Sequence, residues 1–483
     1  MNVGLAMLAV GAVLAASVAL ALGAAKTTLP ALVAFLGLGM LLGSDGPGGI
    51  AFDDAAVARE VGIVSLVAIL YDGGLSTSWR RLRTVAVPAT LLSTVGVAVS
   101  AGLTGCFAHL FFDLSWAEAF LLGSVVASTD AAAVFATLRR TRLRRGIART
   151  LEAESGGNDP VAIALTLGLI AWIERPNYGV GDLAVLLVKQ IGIGLAFGLA
   201  IGLVAMWVFA RIPHSIASFV PVASAATAAL AFGAADAAHG SGFLSVYLVG
   251  LAVGSTPSRY RGQLVTFHEG VAYVAQVALF IVLGLLVFPS DLPHVAFAGL
   301  GLAAALMFVA RPVAVWASTP FTGFTGRERA LLGWAGLRGA VPIVLGTFVL
   351  SSHVESAETI FNAVFFVVLV SVVLQGTTLE WFAERLGLVG AHAPSQPPLE
   401  VTRTGTLDLE EFRVAADHAI AGAAVRELGL PREALVAVVV RGDDSIAPRG
   451  STRIEAGDVL FVLVPNGKRP EVEDVFERWR RRV

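Results

Sequence analysis

Long apolar segments follow one another along most of the chain and constrain its fold more than any other feature. A helix needs roughly 20 predominantly apolar residues to cross a bilayer, and about thirteen segments before residue 390 satisfy or approach this length. They are residues 3–22, 29–42, 57–75, 85–112, 117–138, 151–173, 183–210, 217–237, 241–256, 271–288, 292–317, 330–350 and 358–383. The composition agrees, since 56% of the residues are hydrophobic, only 14% are charged and the mean hydropathy is +0.77. The sequence therefore predicts an all-α polytopic membrane protein with about 13 transmembrane helices.

Basic residues are distributed unevenly among the loops that join these spans, and cytoplasmic loops normally carry the excess of Lys and Arg. If the N-terminus lies outside, fifteen basic residues fall in inward loops and two, Arg59 and Arg175, fall in outward loops. The largest inward group runs from Arg139 to Arg149. This distribution predicts an N-terminus outside the cell, a cytosolic C-terminus and a location in the plasma (inner) membrane.

The composition changes after residue 390, where AHAPSQPPLE supplies prolines and polar residues typical of a linker. We therefore expect a transmembrane domain at 1–388, a linker at 389–401 and a cytosolic domain at 402–483. In the last of these, ALVAVVVR and DVLFVLVP predict two strands, and 415–429 predicts a helix. The basic end RWRRRV is interpreted as a solvated helix face, with a membrane-surface contact as the alternative. The pattern is that of a small α/β domain.

Several classes of site are excluded by the residues that such sites need. The single cysteine, Cys106, permits no disulfide framework and no cysteine-based metal site within one chain. None of the eight histidines has the spacing of a metal-ligand set. Tyr71-Asp72 resembles half of the paired-aspartate signature of intramembrane aspartyl proteases, but the GxGD half is absent, and Ser155 has no evident histidine base. The sequence therefore predicts no enzyme, no cofactor and no nucleic-acid partner.

Few charged residues lie inside the apolar segments, and each costs roughly 2.5 kcal/mol or more on insertion scales unless it has a partner or a purpose. Asp130 lies near the middle of ASTDAAAVFATL, and LEAESGGNDPVAIAL opens the sixth span. Asp72 lies in LYDGGL near the end of the third span, where it could face water or take part in a site. Arg338 lies in GLRGAVPI, and we expect an ion pair between Glu154 and Arg338 that joins the sixth span to the twelfth.

Polar residues at the start of the sixth span are spaced for a binding site. Ser155, Asn158 and Asp159 are three and four residues apart, so a helix projects them from one face. They would converge with Asp130 on a small volume lined by oxygen, to which Thr129 could add a hydroxyl. Oxygen ligands suit hard cations, which predicts K+ or Na+ bound at Asp130, Asp159 and Ser155. A lone aspartate in a span can be purely structural, but this combination favours a site.

The two buried carboxylates also suggest how cation transport is coupled to protons. Burial disfavours the charged form of a carboxylate, and a second carboxylate nearby disfavours it further. Asp130 and Asp159 would therefore hold either a proton or a cation, and access that alternates between the membrane faces would turn this competition into antiport. A ligand-gated potassium channel or efflux pathway is the alternative, because an oxygen-lined pathway can also conduct. Titratable carboxylates in the site favour exchange over conduction.

Three motifs, STDAAAVF, ESGGNDPVAIAL and GLRGAVPI, resemble those of the monovalent cation:proton antiporters of the sodium/proton exchanger superfamily, in the branch with an Asn-Asp pair. The resemblance covers about residues 1–390. It implies two inverted six-helix repeats, crossed discontinuous helices near the site, a homodimer in membrane lipid and elevator-like alternating access.

The resemblance also implies roles for individual residues. Asp159 would be the principal ion- and proton-binding carboxylate. The other site residues would be Asp130, Ser155, Asn158 and Thr129. Asp72 falls where the family usually has Glu in a FEGGL-like motif, and Glu154 and Arg338 match the family's stabilising ion pair. The Asn before Asp159 is similar to the electroneutral members, which implies one cation per proton.

The segment 402–483 resembles the C-terminal regulator-of-potassium-conductance (TrkA-C) domain on GTLDLEEF, AGAAVRELGLP and VVVRGDDSIAPRGSTRIEAGDVLFVLVP. This resemblance implies a small module that dimerises and could bind a regulatory nucleotide such as cyclic di-AMP. No glycine-rich nucleotide-binding half precedes it, so redox sensing by NAD is not expected. Because such tails accompany potassium transport, the resemblance favours K+ over Na+.

Overall fold

The computed structural model describes residues 3–24, 31–130, 133–134, 138, 143–256, 260–389, 407–415, 417–441, 444–465 and 469–479. The chain divides into two compact units, Met1–Gly390 and Ala391–Val483. Most of the predicted linker at 389–401 lies outside the described residues, so its boundaries stay a prediction.

The first unit is built from helices joined by short loops. These are α1 (Val3–Ala24), α2 (Ala31–Leu42), α3 (Ala55–Ser76), α4 (Ala86–Phe111), α5 (Trp116–Val125), α6 (Arg145–Glu174), α7 (Val180–Phe209), α8 (Val220–Ala237), α9 (Gly242–Ser255), α10 (Arg261–Leu286), α11 (Leu292–Ser318), α12 (Gly326–Trp334), α13 (Ala340–Leu350) and α14 (Ala357–Arg385). Within the described residues, eight helices are long and apolar enough to cross a membrane, and four apolar helices are shorter. The predicted all-α membrane domain is confirmed.

Two of the predicted spans are broken in the middle. In the fifth span, α5 ends at Val125 and the chain continues without regular structure to Asp130. In the twelfth span, α12 ends at Trp334 and α13 begins at Ala340. Glycines at 336 and 339 permit this interruption, because glycine makes helix interiors less stable and lets other backbone approach closely. The expectation of discontinuous helices is therefore confirmed.

The order of helices repeats along the chain. From α2 to α6, a short helix, two longer helices, a broken helix and a very long helix follow one another, and the same series runs from α9 to α14. Equivalent helices are seven spans apart, which is an odd number, so they cross the membrane in opposite directions. The contacts between the two series are reciprocal. The first helix of the first series, α2, packs on the second helix of the other, α10, and α3 packs on α9 in the same way. Helices α1 and α8 are also seven spans apart, so the order of helices agrees with the two inverted six-helix repeats that the resemblance implies.

Glycines bring α3 and α9 into close contact. A Cβ atom at Gly250 would lie 2.5 Å from the Tyr71 carbonyl oxygen, and one at Gly254 would overlap the Leu75 carbonyl. Gly74 faces the α9 backbone in the same way. Such contact lets helices gain dispersion energy in a membrane, where no hydrophobic effect drives them together. Helices α3, α9 and α10 are called the scaffold below.

The second unit is a four-stranded antiparallel sheet packed against one helix. Its strands are β1 (Leu407–Arg413), β2 (Leu435–Arg441), β3 (Asp444–Ile446) and β4 (Val459–Pro465), in the order β1-β4-β2-β3. Helix α15 (Arg469–Trp479) supplies Val475 and Trp479 to the core. Both predicted strands are confirmed as β2 and β4, together with the small α/β class of the domain.

One sequence prediction in this unit is wrong. Segment 415–429 is not a helix but a series of turns with one short 3-10 helix at Val425–Glu427. Its backbone bonds to a distant segment instead, as in the bonds from Gly422 N to Ile454 O (2.7 Å) and from Val425 N to Thr452 O (2.9 Å). In RWRRRV, Arg478 is exposed and Trp479 is buried, and residues 480–483 lie outside the described residues, so the interpretation of the basic end stays a prediction.

Candidate functional site

The two broken spans meet at their interruptions. The Asp130 amide donates to the Leu337 carbonyl over 2.8 Å, which ties one break to the other. Arg338 Nη1 donates to the carbonyl oxygens of Ala127 (2.7 Å) and Ser128 (2.6 Å). These carbonyls follow the C-terminal end of α5, where the helix dipole favours a positive charge. The buried Arg338 guanidinium therefore stabilises the backbone groups that the break leaves without helical partners.

Helix α14 holds the second break from the other side. The Arg338 amide donates to Ser371 Oγ over 3.2 Å, and Ser371 Oγ donates to Gln375 Oε1 over 2.5 Å. Gln375 Nε2 in turn donates to the Trp334 carbonyl over 3.0 Å. The first and last of these bonds hold Arg338 within the interruption and Trp334 at its edge, so α14 fixes the interruption between α12 and α13.

The structure contradicts the predicted ion pair between Glu154 and Arg338. Glu154 pairs instead with Arg311 of α11, through contacts of 2.6 Å from Nη1 to Oε1 and 3.0 Å from Nη2 to Oε2. Both side chains are buried, with 1% and 3% exposure. Arg338 donates to the carbonyls of the first break instead, and Arg311 neutralises Glu154. The pair joins α6 to α11 rather than to the twelfth span.

Asn158 and Asp159 bond to side chains on the first break. Asn158 Nδ2 donates to Thr129 Oγ1 over 2.6 Å, and Ser128 Oγ donates to Asp159 Oδ1 over 2.5 Å. Both α6 residues are buried. The extended backbone after α5 presents Ser128 and Thr129 to α6 in succession, which a continuous helix could not do, since adjacent helical residues diverge by about 100°.

Asp130 closes the first break against the second. Its Oδ1 accepts from the Ala133 amide over 3.2 Å, and its carboxylate rests on the backbone of Gly339, where any Cβ atom would overlap it. A side chain at position 339 would therefore displace Asp130. This close approach explains why glycine occupies the position in GLRGAVPI.

A cavity of about 320 Å³ connects several of these groups. Its lining includes four acidic residues, Asp72, Asp130, Glu152 and Asp159, and several hydroxyl residues, among them Ser155. Glu152 is exposed and Asp159 is buried, so the cavity leads from an open end to the centre of the unit. In the described part of the chain, its lining contains no Lys, Arg or His. Among the described residues, no three acidic, His or Cys side chains cluster as tightly as a resident metal would require.

The structure thus sorts the predicted site residues into two groups. Asp72, Asp130, Ser155 and Asp159 line one cavity. Asn158 and Thr129 bond to each other and are not among its lining residues, so they support Asp159 and Asp130 from behind the lining. Asp72 Oδ1 is buried and has no hydrogen-bond partner among the described residues.

Sequence reasoning missed other residues of the site. Arg311 lies inside a predicted span, so its charge alone could have identified it. Ser128, Tyr247 and Gln276 carry no comparable signal, because Ser, Tyr and Gln are ordinary residues in membrane helices. Glu152, in LEAESGGNDPVAIAL, also lines the cavity.

Comparison with known families agrees with this geometry. Residues 12–385 match the family described as "Sodium/hydrogen exchanger, transmembrane". The chain belongs to this family. Residues 409–477 match the TrkA-C domain. The predicted resemblances are therefore confirmed for both parts of the chain.

Named relatives extend over nearly the whole chain. The K(+)/H(+) antiporter NhaP2 of Shewanella baltica (strain OS223) is 38% identical over 465 residues, covering 94% of this chain and 80% of the relative. The K(+)/H(+) antiporter NhaP of Alkalimonas amylolytica is 34% identical over 482 residues, covering 98% of this chain and 83% of the relative. The protein is thus a cation/proton antiporter of the NhaP type with a TrkA-C domain, a transporter rather than an enzyme.

A solved structure shares the fold. The sodium proton antiporter MjNhaP1 from Methanocaldococcus jannaschii at pH 8 superposes with a TM-score of 0.71 and is 22% identical. The match covers 80% of this chain and 99% of that chain. At this identity the likeness shows the fold alone.

Proposed function

We propose that this chain exchanges one K+ for one proton by alternating access, with both ions competing for Asp159 and Asp130. The observation that carries the proposal is the cavity in which Asp72, Asp130, Ser155 and Asp159 meet. Na+ is the second candidate for the cation, since both ions accept the same oxygen ligands.

The charges around the cavity explain why an ion is needed there. Arg311 forms an ion pair with Glu154, and Arg338 Nη1 donates to backbone carbonyls. The part of the cavity lining that the structure describes has no basic residue, while an ionised carboxylate that is buried needs a compensating positive charge. A proton or an alkali cation at Asp159 supplies that charge, and occupation by one excludes the other.

The cation and the stoichiometry rest on two further points. Relatives that are 34% and 38% identical over nearly the whole chain are named K(+)/H(+) antiporters, which favours K+. Asn158 is neutral and bonds to Thr129, so Asp159 has no second carboxylate beside it on α6. The replacement of one proton by one monovalent cation moves no net charge, which makes the exchange electroneutral.

The open end of the cavity indicates the accessible face. Exposed Glu152 lies near the start of α6, and exposed Ser76 lies at the end of α3. Both positions adjoin loops rich in arginine, and such loops face the cytoplasm. We infer an inward-facing state, an N-terminus outside, a cytosolic 402–483 domain after a linker at 389–401, and a plasma (inner) membrane location.

The cytosolic domain would regulate transport. The TrkA-C match at 409–477 supports a module that dimerises and responds to a small ligand, for which a nucleotide is the candidate. We propose that two copies of the chain form a homodimer in the membrane. Binding of cyclic di-AMP to the full-length protein, measured by a shift in transport rate, tests the regulatory part.

Ion flux tests the main proposal. Everted membrane vesicles containing the protein are given a proton gradient, and K+, Na+ or Li+ is added separately. We expect K+ to dissipate the proton gradient at the lowest concentration, with no response in vesicles that lack the protein. The absence of a proton flux with every cation would refute exchange. Current that follows the K+ reversal potential would instead favour the channel alternative.

A further inference from the structure

One aromatic side chain reaches the ion cavity from the scaffold. Tyr247 lies on α9, is 6% exposed and lines the cavity together with Ser155 and Asp159. Gly250 and Gly254 on the same helix fix α9 closely against α3, as described above. Tyr247 is therefore presented by a rigid pair of helices, whereas the other two residues belong to α6.

The Tyr247 ring rests on bare backbone at the centre of the binding motif. A Cβ atom at Gly156 would overlap two carbons of the ring and would lie 2.5 Å from Oη. Gly156 follows Ser155 directly and precedes Asp159 by three residues. The phenol oxygen thus lies against the turn of α6 that carries the predicted ion ligands.

The Tyr247 hydroxyl is not needed to hold the scaffold helices together. Its oxygen is buried and forms no well-aligned hydrogen bond with any described residue, and the Thr77 side chain lies close enough for a weak one only. It lies near Thr77, whose own hydroxyl donates to the Gly73 carbonyl over 2.8 Å, and it is within electrostatic range of Glu152 and Asp159. A buried polar group without a partner costs about 1–3 kcal/mol, so such a group in a binding cavity indicates a ligand.

We propose that Tyr247 supplies a ligand oxygen to the transported cation and thereby sets cation affinity and preference. This inference rests on the proposed function. A cation that leaves water for the cavity must replace part of its hydration shell with protein oxygens. Ser155 and Asp159 supply some of them from α6, and the phenol supplies another from the scaffold. The site is then completed by both parts of the unit, and its affinity depends on how they approach each other.

Tyr247→Phe provides the test, because it keeps the ring on Gly156 and removes only the oxygen. In proteoliposomes that contain the full-length protein, we expect the K+ concentration for half-maximal exchange to rise about five- to twentyfold. The maximal rate at saturating K+ should stay within about twofold, since the carboxylates remain. The ratio of K+ to Na+ half-saturation concentrations should also change. A residue that only packs would move none of these values.

Tyr178→Phe is a matched control. The Tyr178 hydroxyl is likewise buried without a hydrogen bond, but Tyr178 lies between α6 and α7 and does not line the cavity. We expect its kinetics to equal those of the wild type. Gly156→Ala supplies an independent arm, since the added Cβ displaces the phenol, and it should also raise half-saturation.

The outcomes separate the two proposals. If the wild type shows no cation-dependent proton flux, the proposed function fails. If the wild type exchanges K+ while Tyr247→Phe and Tyr178→Phe share its half-saturation concentration, the inference about Tyr247 is wrong and the proposed function stands.

Discussion

The two breaks and the glycine-packed scaffold satisfy their backbone polar groups in opposite ways. In the scaffold, α3 and α9 keep their backbone bonds within each helix and approach each other at Gly250 and Gly254. In the breaks, backbone groups leave the helix and are satisfied by distant side chains, such as Arg338 on the carbonyls of Ala127 and Ser128. The contact between α3 and α9 is formed by glycines and backbone, whereas the breaks bring charged groups and hydrogen bonds together.

This difference explains where ions can bind in a membrane protein. Backbone without regular structure is tolerated at membrane depth only when it is buried in protein or lines a cavity. The extended segment after α5 meets this condition and presents Ser128 and Thr129 to α6. We therefore expect substitutions in the breaks to affect transport, and substitutions of the glycines at the contact of α3 with α9 to affect stability.

The largest expected effect is the loss of transport on Asp159→Asn. The amide can neither release a proton nor neutralise a cation, so exchange should fall to the background of empty vesicles, while the protein remains folded. Size-exclusion chromatography and vesicle flux measure both properties. Asp113→Asn, in an exposed loop, is the control and should transport normally. Substantial exchange by Asp159→Asn would contradict the proposed site.

Next in size is the effect of Arg311→Met. Removing one partner of a buried ion pair leaves Glu154 uncompensated and should cost about 3–5 kcal/mol of stability, seen as a lower melting temperature in detergent. The double variant Glu154→Leu with Arg311→Met should recover most of this loss, because replacing both charges by apolar groups is often neutral. An Arg311→Met protein as stable as the wild type would show that the pair is dispensable.

A smaller loss is expected when the scaffold is overpacked. Gly254→Ala places a methyl group on the Leu75 carbonyl and should destabilise the unit by about 1–3 kcal/mol. Gly233→Ala is the control on α8, where nothing lies within 4 Å of the added Cβ. That change should be neutral or stabilise by roughly 0.5–1 kcal/mol. Equal melting temperatures for the two variants would remove the distinction between scaffold and surface.

The smallest effect is expected from a water-accessible ion pair in the second unit. Arg441 bonds to Asp458 through Nε (2.9 Å) and Nη2 (2.9 Å), and these bonds raise the pKa of its guanidinium. Because Asp458 is buried, Arg441→Ala leaves a carboxylate unpaired, although solvent reaches the arginine position. We expect faster amide hydrogen exchange in β2 and β4 of the full-length protein, with no change in α6. Unchanged exchange in both strands would show that the pair adds nothing.

Sequence patterns predicted the membrane unit well because apolar length is a local property of the chain. They also identified Asp130, Asp159 and Ser155, since charges and spacing within one helix can be read directly. The partner of Glu154 could not be derived in this way, because two buried arginines were available and only the packing of α11 on the site selects Arg311.

The same limit applies to the second unit. The strands β2 and β4 have clear β-branched runs, but segment 415–429 bonds to residues near 452–454, which no local pattern reveals. Long-range backbone pairing overrode a helical propensity there. Tyr247 escaped notice for a related reason, since its role depends on the contact of α9 with Gly156.

Proton release on cation binding tests the central claim most directly. Purified protein in weakly buffered detergent solution is mixed with K+ at a pH at which Asp159 is protonated, and a pH-sensitive dye follows the solution. We predict about one proton released per K+ bound, and no release from Asp159→Asn. Binding of K+ to the wild type without proton release would contradict competition between the two ions at this carboxylate.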